Sequence, residues 1–407
     1  MALYVQKYGG TSVGSPDLIR KVAAKVIQKR KEGHDLVVVL SAMAGETDRL
    51  LRLARDMSPQ PDPREVDVLI STGEQVSVAL FCLACQNLGQ GARSLLGFQA
   101  KILTDHLYGK ARIVGIDTTR IHDQLERGRI VAVAGFQGLD ERGNITTLGR
   151  GGSDTTAVAL AATLKADVCE IFTDVKGVYT TDPNVCAEAR KLDLISYEEM
   201  LEMASAGAKV METRSIEFAM KYGVKIHVRH SQSDEPGTII TEEVKGMEDK
   251  IVSGVAYSKH DARITITKVP DKPGMAAKIC GAVSDAGIVV DMIIQNSSVG
   301  SPELTDFSFT VPKPDFERAM NLLKGVATEI GAERVLGDEG IAKVSIVGVG
   351  MRSHAGVAAK MFAALAKEGI NIMMISTSEI KVSCVISAKY TELAVRALHE
   401  AFDLGRP

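Results

Sequence analysis

Residues Gly274–Lys278 read GMAAK and Gly356–Lys360 read GVAAK, and AGIVVDMI from Ala286 answers EGINIMMI from Glu368 at the same offset. Solenoid repeats recur every ~20 to 50 residues, and this offset is longer, so the repeat reads as a duplicated domain. Each copy runs strand, helix, strand, strand, helix, and the first copy closes with a short strand near Arg334. After Leu404 too little chain remains to close the second copy. The isolated strand Ile251–Tyr257 is therefore expected to complete it, which makes the second module discontinuous (249–261 plus 338–407) around the first (262–337). The two modules are expected to interlock.

The N-terminal part follows another rhythm. LYVQKYGG, DLVVVLSAM, IVAVAGFQG and VCEIFTDV are short Val- and Ile-rich runs ending in small or polar residues, as buried strands do. Helical spacing fills Pro16–Lys31, Glu74–Leu88 and Thr155–Lys165 between them. Alternating strands and helices imply an α/β domain with a mostly parallel sheet, whose ligands gather at the C-terminal strand ends. Pro59–Glu65 reads as a surface connection and Gln232–Asp249 as the domain boundary, which ends the first domain near Lys245.

At 407 residues the chain exceeds the roughly 250–300 residues that one core serves. A formal net charge of −3 offers no basic excess for nucleic acid or an anionic membrane, so small-molecule ligands are expected. Six scattered cysteines in a chain able to bury a real core point to a reducing compartment, with the cytoplasm as the expectation. MALYVQKYGG lacks an apolar stretch behind a basic flank, and no later segment reads as the ~20 apolar residues of a membrane helix, so no spanning or exported segment is expected.

Three constellations carry chemistry. In the first, a strand ends at Lys7 and a loop through Gly9, Gly10, Thr11 and Ser12 leads to a helix with Ser15 as N-cap and Pro16 as first residue. Exposed N–H groups, the positive helix end and the Lys7 charge suit a phosphate, although the same text also serves a plain turn beside a solvated lysine. The second, LGRGGSDTTA at Leu148–Ala157, sets Arg150 beside a glycine loop, with Ser153 or Asp154 expected to cap the next helix. Arginine there suits a carboxylate held by two parallel hydrogen bonds, against the alternative of a surface charge and a simple cap. The third, TDVKGVYTTDP at Thr173–Pro183, suits a nucleotide platform but shares its composition with ordinary turns.

Other chemistries leave no trace. There is no P-loop, dinucleotide GxGxxG or HExxH. Cys82 and Cys85 form a lone CxxC in an apolar helix, where core packing is the expected role. His227 and His230 are three apart in a strand and point to opposite faces.

KYGGTSV at Lys7–Val13 resembles the signature of aspartate kinases, members of the amino acid kinase family. STGEQVS around Glu74, GRGGSDTTA around Asp154 and TDVKGVYTTDP around Asp174 agree in order and spacing, so the resemblance spans the chain. The C-terminal pair resembles tandem ACT domains, which in these enzymes bind lysine, threonine or both. The resemblance implies an amino acid kinase fold, a mostly parallel sheet sandwiched by helices, followed by two ferredoxin-like ACT domains in βαββαβ order. It places Lys7 and Asp154 at the catalytic centre and Ser41, Thr47, Glu74, Arg150, Gly151, Gly152 and Ser153 around aspartate. ATP is expected on Lys7, Tyr8, Gly9, Gly10, Thr173, Asp174, Tyr179, Asn184 and Lys209, with Mg²⁺ carried by ATP rather than by protein ligands. Asn184 stands where many relatives have arginine, and KVMETRS stands where others have KVLHPR.

In the ACT pair the turn Asp271–Met275, with Gly274, Met275 and Ala276, is expected to meet an effector's carboxylate. Asp291, Gln295, Ser297 and Ser298 are expected to offer polar contacts, with Asn371 and Ile372 at the matching place in the second copy; the alternative is that these residues only shape the interface between modules. A glutamate or acetylglutamate kinase and a catalytically silent amino acid sensor are the rival readings. A fused homoserine dehydrogenase is not expected. An internal start at Met247 would give a separate regulatory subunit and an α2β2 assembly, and a homo-oligomer is the other expectation.

Overall fold

Val, Ile and Leu fill the strands of the first sheet because β-branched and aliphatic side chains suit a pleated surface covered on both faces. The computed structural model describes residues 2–208, 210–243, 250–297 and 303–406, with backbone alone at 296 and 297. By internal contacts it divides into one unit of residues 1–179, 191–205 and 209–245 and another of 180–190, 206–208 and 246–407. The division differs from a single boundary near Lys245 in giving Thr180–Arg190 and Ala206–Ala208 to the second unit.

The strands of the first unit are β1 (Leu3–Tyr8), β2 (Asp35–Leu40), β3 (Ala92–Leu95), β4 (Ile102–Thr104), β5 (Ile113–Ile116), β6 (Ile130–Ala134), β7 (Gln137–Leu139), β8 (Ile145–Thr147), β9 (Val168–Thr173), β10 (Leu194–Ser196), β11 (Ile226–His230) and β12 (Thr238–Thr241). Eight of them form a sheet in the order β10-β12-β11-β9-β1-β2-β6-β3, parallel except between β11 and β12. The other four form a small sheet, β5-β4-β7-β8. Its helices are α1 (Pro16–Lys31), α2 (Glu46–Met57), α3 (Pro63–Ile70), α4 (Thr72–Asn87), α5 (Thr119–Glu126), α6 (Gly152–Leu164), α7 (Tyr197–Ser205) and α8 (Thr213–Tyr222).

Ser15 caps α1 by accepting the Leu18 N–H at 3.3 Å, and Pro16 opens the helix. α1 and α4 cover one sheet face, where Tyr8, Leu36, Val38, Leu40, Phe81, Cys82 and Cys85 form a core. Burial pushes the Cys82 and Cys85 thiols up to about 12, so both behave as small apolar side chains. Pro63–Asn87 qualifies one expectation: within its 25 residues a window of 18 has a mean hydropathy of 1.7, long and apolar enough to cross a membrane by length and composition, yet half of that window is buried in this fold. α6 packs on β1, β2 and β9 and is buried around nearly its whole circumference, as an interior helix must be when it has no polar face.

The second unit contains β13 (Gly254–Ser258), β14 (Asp261–Pro270), β15 (Ile293–Ser297), β16 (Leu304–Pro312), β17 (Arg334–Asp338), β18 (Ile341–Val347), β19 (Met374–Thr377) and β20 (Lys381–Ser387), with α9 (Met275–Asp285), α10 (Phe316–Ile330), α11 (Val357–Lys367) and α12 (Thr391–Ala401). Two antiparallel sheets result, β15-β16-β14-β17 and β13-β18-β20-β19, so β13 fills in the second sheet the edge that β17 fills in the first. Gly274 and Gly356 cap α9 and α11 alike, at φ 95° and 87°, a left-handed conformation that glycine adopts without penalty. Met292, Ile341, Met374 and Val385 form a buried cluster that draws on both modules.

Phe81 is fully buried on α4. Phe81→Ala is expected to cost about 3–5 kcal/mol of stability, read as an earlier chemical-denaturation transition of the first unit. A shift under about 1 kcal/mol would show that this core collapses around the void.

Candidate active site

Strand alternation decides which face each residue of β1 serves. Tyr8 points to the α1 side, where its ring stacks on Phe172 at 4.6 Å between centroids and burial raises its hydroxyl pKa. Lys7 points to the other side, toward α6. Tyr8 was expected among the nucleotide contacts, but its side chain is fully enclosed in the core and is unavailable to a ligand.

Lys7 Nζ lies 2.6 Å from Asp154 Oδ1, with side-chain exposures of 12% and 11%. The approach is ionic rather than aligned as a hydrogen bond. A lysine this enclosed needs a counter-charge, and the first turn of α6 supplies it. Neither Ser153 nor Asp154 caps α6, contrary to expectation: the N-cap is Gly151, at φ 65°, and no side chain bonds there. The helix starts earlier than the polar residues suggest. Ser153 is instead packed so closely on Gly135 that a Cβ there would lie 2.7 Å from its Oγ.

The loop before α6 is held from outside. Arg214, from the departing text KVMETRS, donates from Nη1 to Leu148 O at 2.9 Å and from Nη2 to Ala111 O at 2.6 Å. Glu212 packs on Gly151 so tightly that a Cβ there would sit 1.9 Å from its Cγ. Burial raises the Glu212 pKa, while the charge of Arg150 acts against the rise. Sequence reasoning missed both residues, and the only signal was the departure itself. It also missed Phe136, which lines the cleft with φ 69°, a left-handed conformation costly for a non-glycine residue.

From β1, β2, α2, α4 and α6 a cleft of about 390 Å³ opens, lined by Lys7, Gly9, Gly10, Ser41, Thr47, Glu74, Arg150, Gly151, Gly152, Ser153 and Asp154 among others. Gly10 approaches the β2–α2 connection so closely that a Cβ would lie 2.8 Å from Ala42 O. Beside the same connection Glu74 is 3% exposed; its Oε1 accepts the Ala42 N–H at 3.0 Å and its Oε2 has no hydrogen-bond partner among the described residues. Desolvation pushes its pKa up to about 7. The cleft thus combines a cation (Lys7), a second cation at its mouth (Arg150) and a buried carboxylate short of a donor. That set suits a zwitterionic ligand carrying an extra anionic group.

Of the expected nucleotide residues, Lys7, Gly9 and Gly10 line this cleft, whereas Thr173, Asp174, Tyr179 and Asn184 lie outside its lining. Thr173 ends β9, beside β1, and its Oγ1 donates to Asp174 Oδ1 at 3.1 Å. Tyr179 forms an isolated bridge with Lys191. Asn184 is exposed and belongs to the second unit, where its backbone and side-chain N–H groups both reach Asp182 Oδ1. Lys209 and Met247 lie outside the described residues. Among the described residues no three His, Cys, Asp or Glu side chains cluster as metal ligands would.

In the second unit Gly274 caps α9, with Met275 and Ala276 as its first residues after the turn from Asp271. Asp291, expected to meet an effector, pairs with Lys343, which is 8% exposed on β18. Enclosure of the lysine requires that counter-charge. Gln295 stands opposite Phe307 and Ser297 opposite Thr305 on β15–β16, while Ser298 lies outside the described residues. Asn371 and Ile372 follow α11, and Ile372 packs against its own module's core.

The amino acid kinase family matches residues 2–230, and ACT domains match 267–326 and 344–402. An aspartate kinase of Stutzerimonas stutzeri is 60% identical over 408 residues, spanning 100% of this chain and 98% of its own. One from Pseudomonas putida is also 60% identical over 408 residues, spanning 100% and 99%. Among solved structures, E. coli aspartokinase III in complex with aspartate and ADP is similar with a TM-score of 0.83 at 26% identity, over 98% of this chain and 99% of that one. The same enzyme in complex with lysine and aspartate gives 0.76 at 26% identity, over 98% and 99%.

Glu74 makes a prediction possible before any ligand is added. Its carboxyl titrates near 4.5 when unfolded and near 7 when folded, so the folded state binds more protons in that window and loses stability as pH rises through it. Glu74→Gln keeps the acceptor for Ala42 and removes the penalty. It is expected to stabilise the free protein by about 1–3 kcal/mol at pH 8 and by nothing at pH 4, measured by chemical denaturation at both pH values. Equal effects at the two pH values would refute the raised pKa.

Proposed function

This chain belongs to the aspartate kinases of the amino acid kinase family, and from that premise we infer that its cleft transfers the γ-phosphoryl group of MgATP to the β-carboxylate of aspartate, giving 4-phospho-L-aspartate. The observation that carries this reading to the residues is Glu74: a buried carboxylate with one unpartnered oxygen, in a cleft with Lys7 and Arg150, is the acceptor that an α-ammonium needs. Glu74 takes the ammonium, Arg150 the α-carboxylate, and Ser41, Thr47 and the Gly151–Ser153 backbone hold the remainder.

A side-chain carboxylate with a pKa near 4 is already ionised at neutral pH, so no general base is required. One carboxylate oxygen forms a bond to the γ-phosphorus as the bond from that phosphorus to the β,γ-bridging oxygen breaks, and ADP departs with those electrons. The barrier comes from bringing two anions into line, and Lys7 with the substrate's Mg²⁺ offsets their charge. Asp154 acts by holding Lys7 in place. The nucleotide lies along Gly9, Gly10, Thr173, Asp174 and Tyr179, with Asn184 and Lys209 from the following segments. A silent sensor has no need of Lys7, Glu74, Arg150 and Asp154 around one cleft.

In the second unit we place an amino acid effector, lysine or threonine or both, at the Asp271–Ala276 turn and β15. Aspartokinase III solved with lysine supports the lysine class. Inhibition requires only that the effector favour the less active state by ~1 to 3 kcal/mol. The protein is proposed to work in the cytoplasm as a homo-oligomer, or as an α2β2 assembly if Met247 starts a regulatory subunit.

The test is ATP-dependent acyl phosphate formation trapped as the hydroxamate. Turnover is expected with aspartate and not with glutamate, suppressed by lysine, threonine or the pair. Lys7→Ala is expected to lower kcat by about 100-fold or more, and Tyr179→Ala to raise KM for ATP more than KM for aspartate. As pH falls below about 7, protonation of Glu74 should raise KM for aspartate. Equal turnover of glutamate, or none of aspartate, would defeat the reading.

A further inference from the structure

The second unit includes two short segments of the family-matched kinase region, Thr180–Arg190 and Ala206–Ala208. Both are held by the same strand. Val255 N–H, on β13, donates to Thr180 O at 2.7 Å, and Tyr257 Oη donates to Asp182 Oδ2 at 3.1 Å. Gly207, at φ 119°, approaches β13 so closely that a Cβ would lie 2.1 Å from Tyr257 O. The backbone contact there leaves no room for a side chain.

Thr180 is gripped a second time. Its Oγ1 accepts the Arg190 N–H at 2.9 Å and lies 2.9 Å from Nε2 of His399 on α12. Thr180 and His399 are 1% and 2% exposed, so water cannot replace a lost partner. The His399 tautomer decides which of the two atoms donates, and burial lowers the His399 pKa, which favours the neutral ring. The strap is closed at its neck by Thr180 N–H donating to Arg190 O at 2.8 Å, and the preceding pair, Tyr179 and Lys191, forms a bridge.

Each segment leads directly into a residue assigned above to the nucleotide: Thr180 follows Tyr179, and Ala208 precedes Lys209. We propose that Tyr257 and His399, both in the second module, are positioning residues for ATP. They fix Asp182 and Thr180, and through the Tyr179–Thr180 peptide bond they set the backbone from which the Tyr179 ring projects. The inference rests on the nucleotide reading of Tyr179. It separates the two substrates, because the tethered segments adjoin residues assigned to ATP, whereas Glu74 is held by Ala42 within the first unit.

The test uses the full chain and compares KM for ATP, KM for aspartate and kcat. Thr180→Val removes the hydroxyl that bonds both Arg190 and His399, Thr180→Ser keeps it, and Tyr257→Phe removes a single half-buried oxygen. Loss of one such bond is worth about 0.5–1.5 kcal/mol, so Thr180→Val and Tyr257→Phe are expected to raise KM for ATP about 2- to 12-fold. KM for aspartate should move less than about twofold, and Thr180→Ser should behave as the wild type. A general loss of packing would move both KM values together or lower the melting temperature without moving either, and each of those results overturns the proposal. If Thr180→Val does not fold, Tyr257→Phe decides alone. Tyr179→Ala keeps the two readings apart: no rise in KM for ATP there refutes the nucleotide assignment, whereas a rise there without one in Tyr257→Phe refutes only the positioning role.

Discussion

The ion pair between Lys7 and Asp154 is the constraint around which the first unit is arranged. Lysine at the end of a central parallel strand is almost enclosed, and an enclosed ammonium without a counter-ion is strongly unfavourable. The carboxylate comes from α6, a helix buried on nearly every side, so the sheet, the interior helix and the charge pair are mutually dependent. The glycines ahead of α6 turn the chain sharply enough for Asp154 to face β1, and Arg214 and Glu212 hold that turn from behind. Removing either charge would leave the other buried and unmatched.

Glu74 is treated in the opposite way. Lys7 and Asp154 compensate each other in the free protein, whereas the second oxygen of Glu74 is left without a donor. Its burial is a standing cost that a cationic group on a ligand relieves, and relief of that kind favours the occupied cleft. α4 can carry the cost because the same face, further along the helix, sets Phe81, Cys82 and Cys85 deep in the core.

Much of this was legible from local pattern. Ser15 and Pro16 announce α1, the Val-rich runs announce the parallel sheet, and the glycine texts point to Lys7, Arg150 and Asp154, which the fold brings to one cleft with Glu74. Where the reading went astray, a longer-range effect had intervened. Tyr8 follows Lys7 in a glycine signature, but the two-residue period of a strand turns it to the opposite face. Asp154 has the chemistry of an N-cap, and the buried lysine claims it instead. No local pattern foretells that Asp291 pairs with Lys343, a residue far along the chain in another module. TTDP reads as a turn, and nothing local in Thr180–Arg190 tells that the segment packs with residues near the C-terminus. Glu212 and Arg214 act through the shape of a neighbouring loop, which no spacing rule encodes.

The position of β13 also sets a timetable for synthesis. Its five residues emerge from the ribosome before the whole first module, yet their partner β18 lies beyond it. At roughly 5–20 residues per second, the strand waits on the order of ten seconds for its neighbour while the first module closes on itself. A strand left unpaired is a template for wrong pairing, but one this short, and followed directly by Lys259 and His260, offers little purchase. When β18 arrives, the folded module between them has already shortened the loop that must close, so the last step of assembly costs far less entropy than the length of intervening chain suggests.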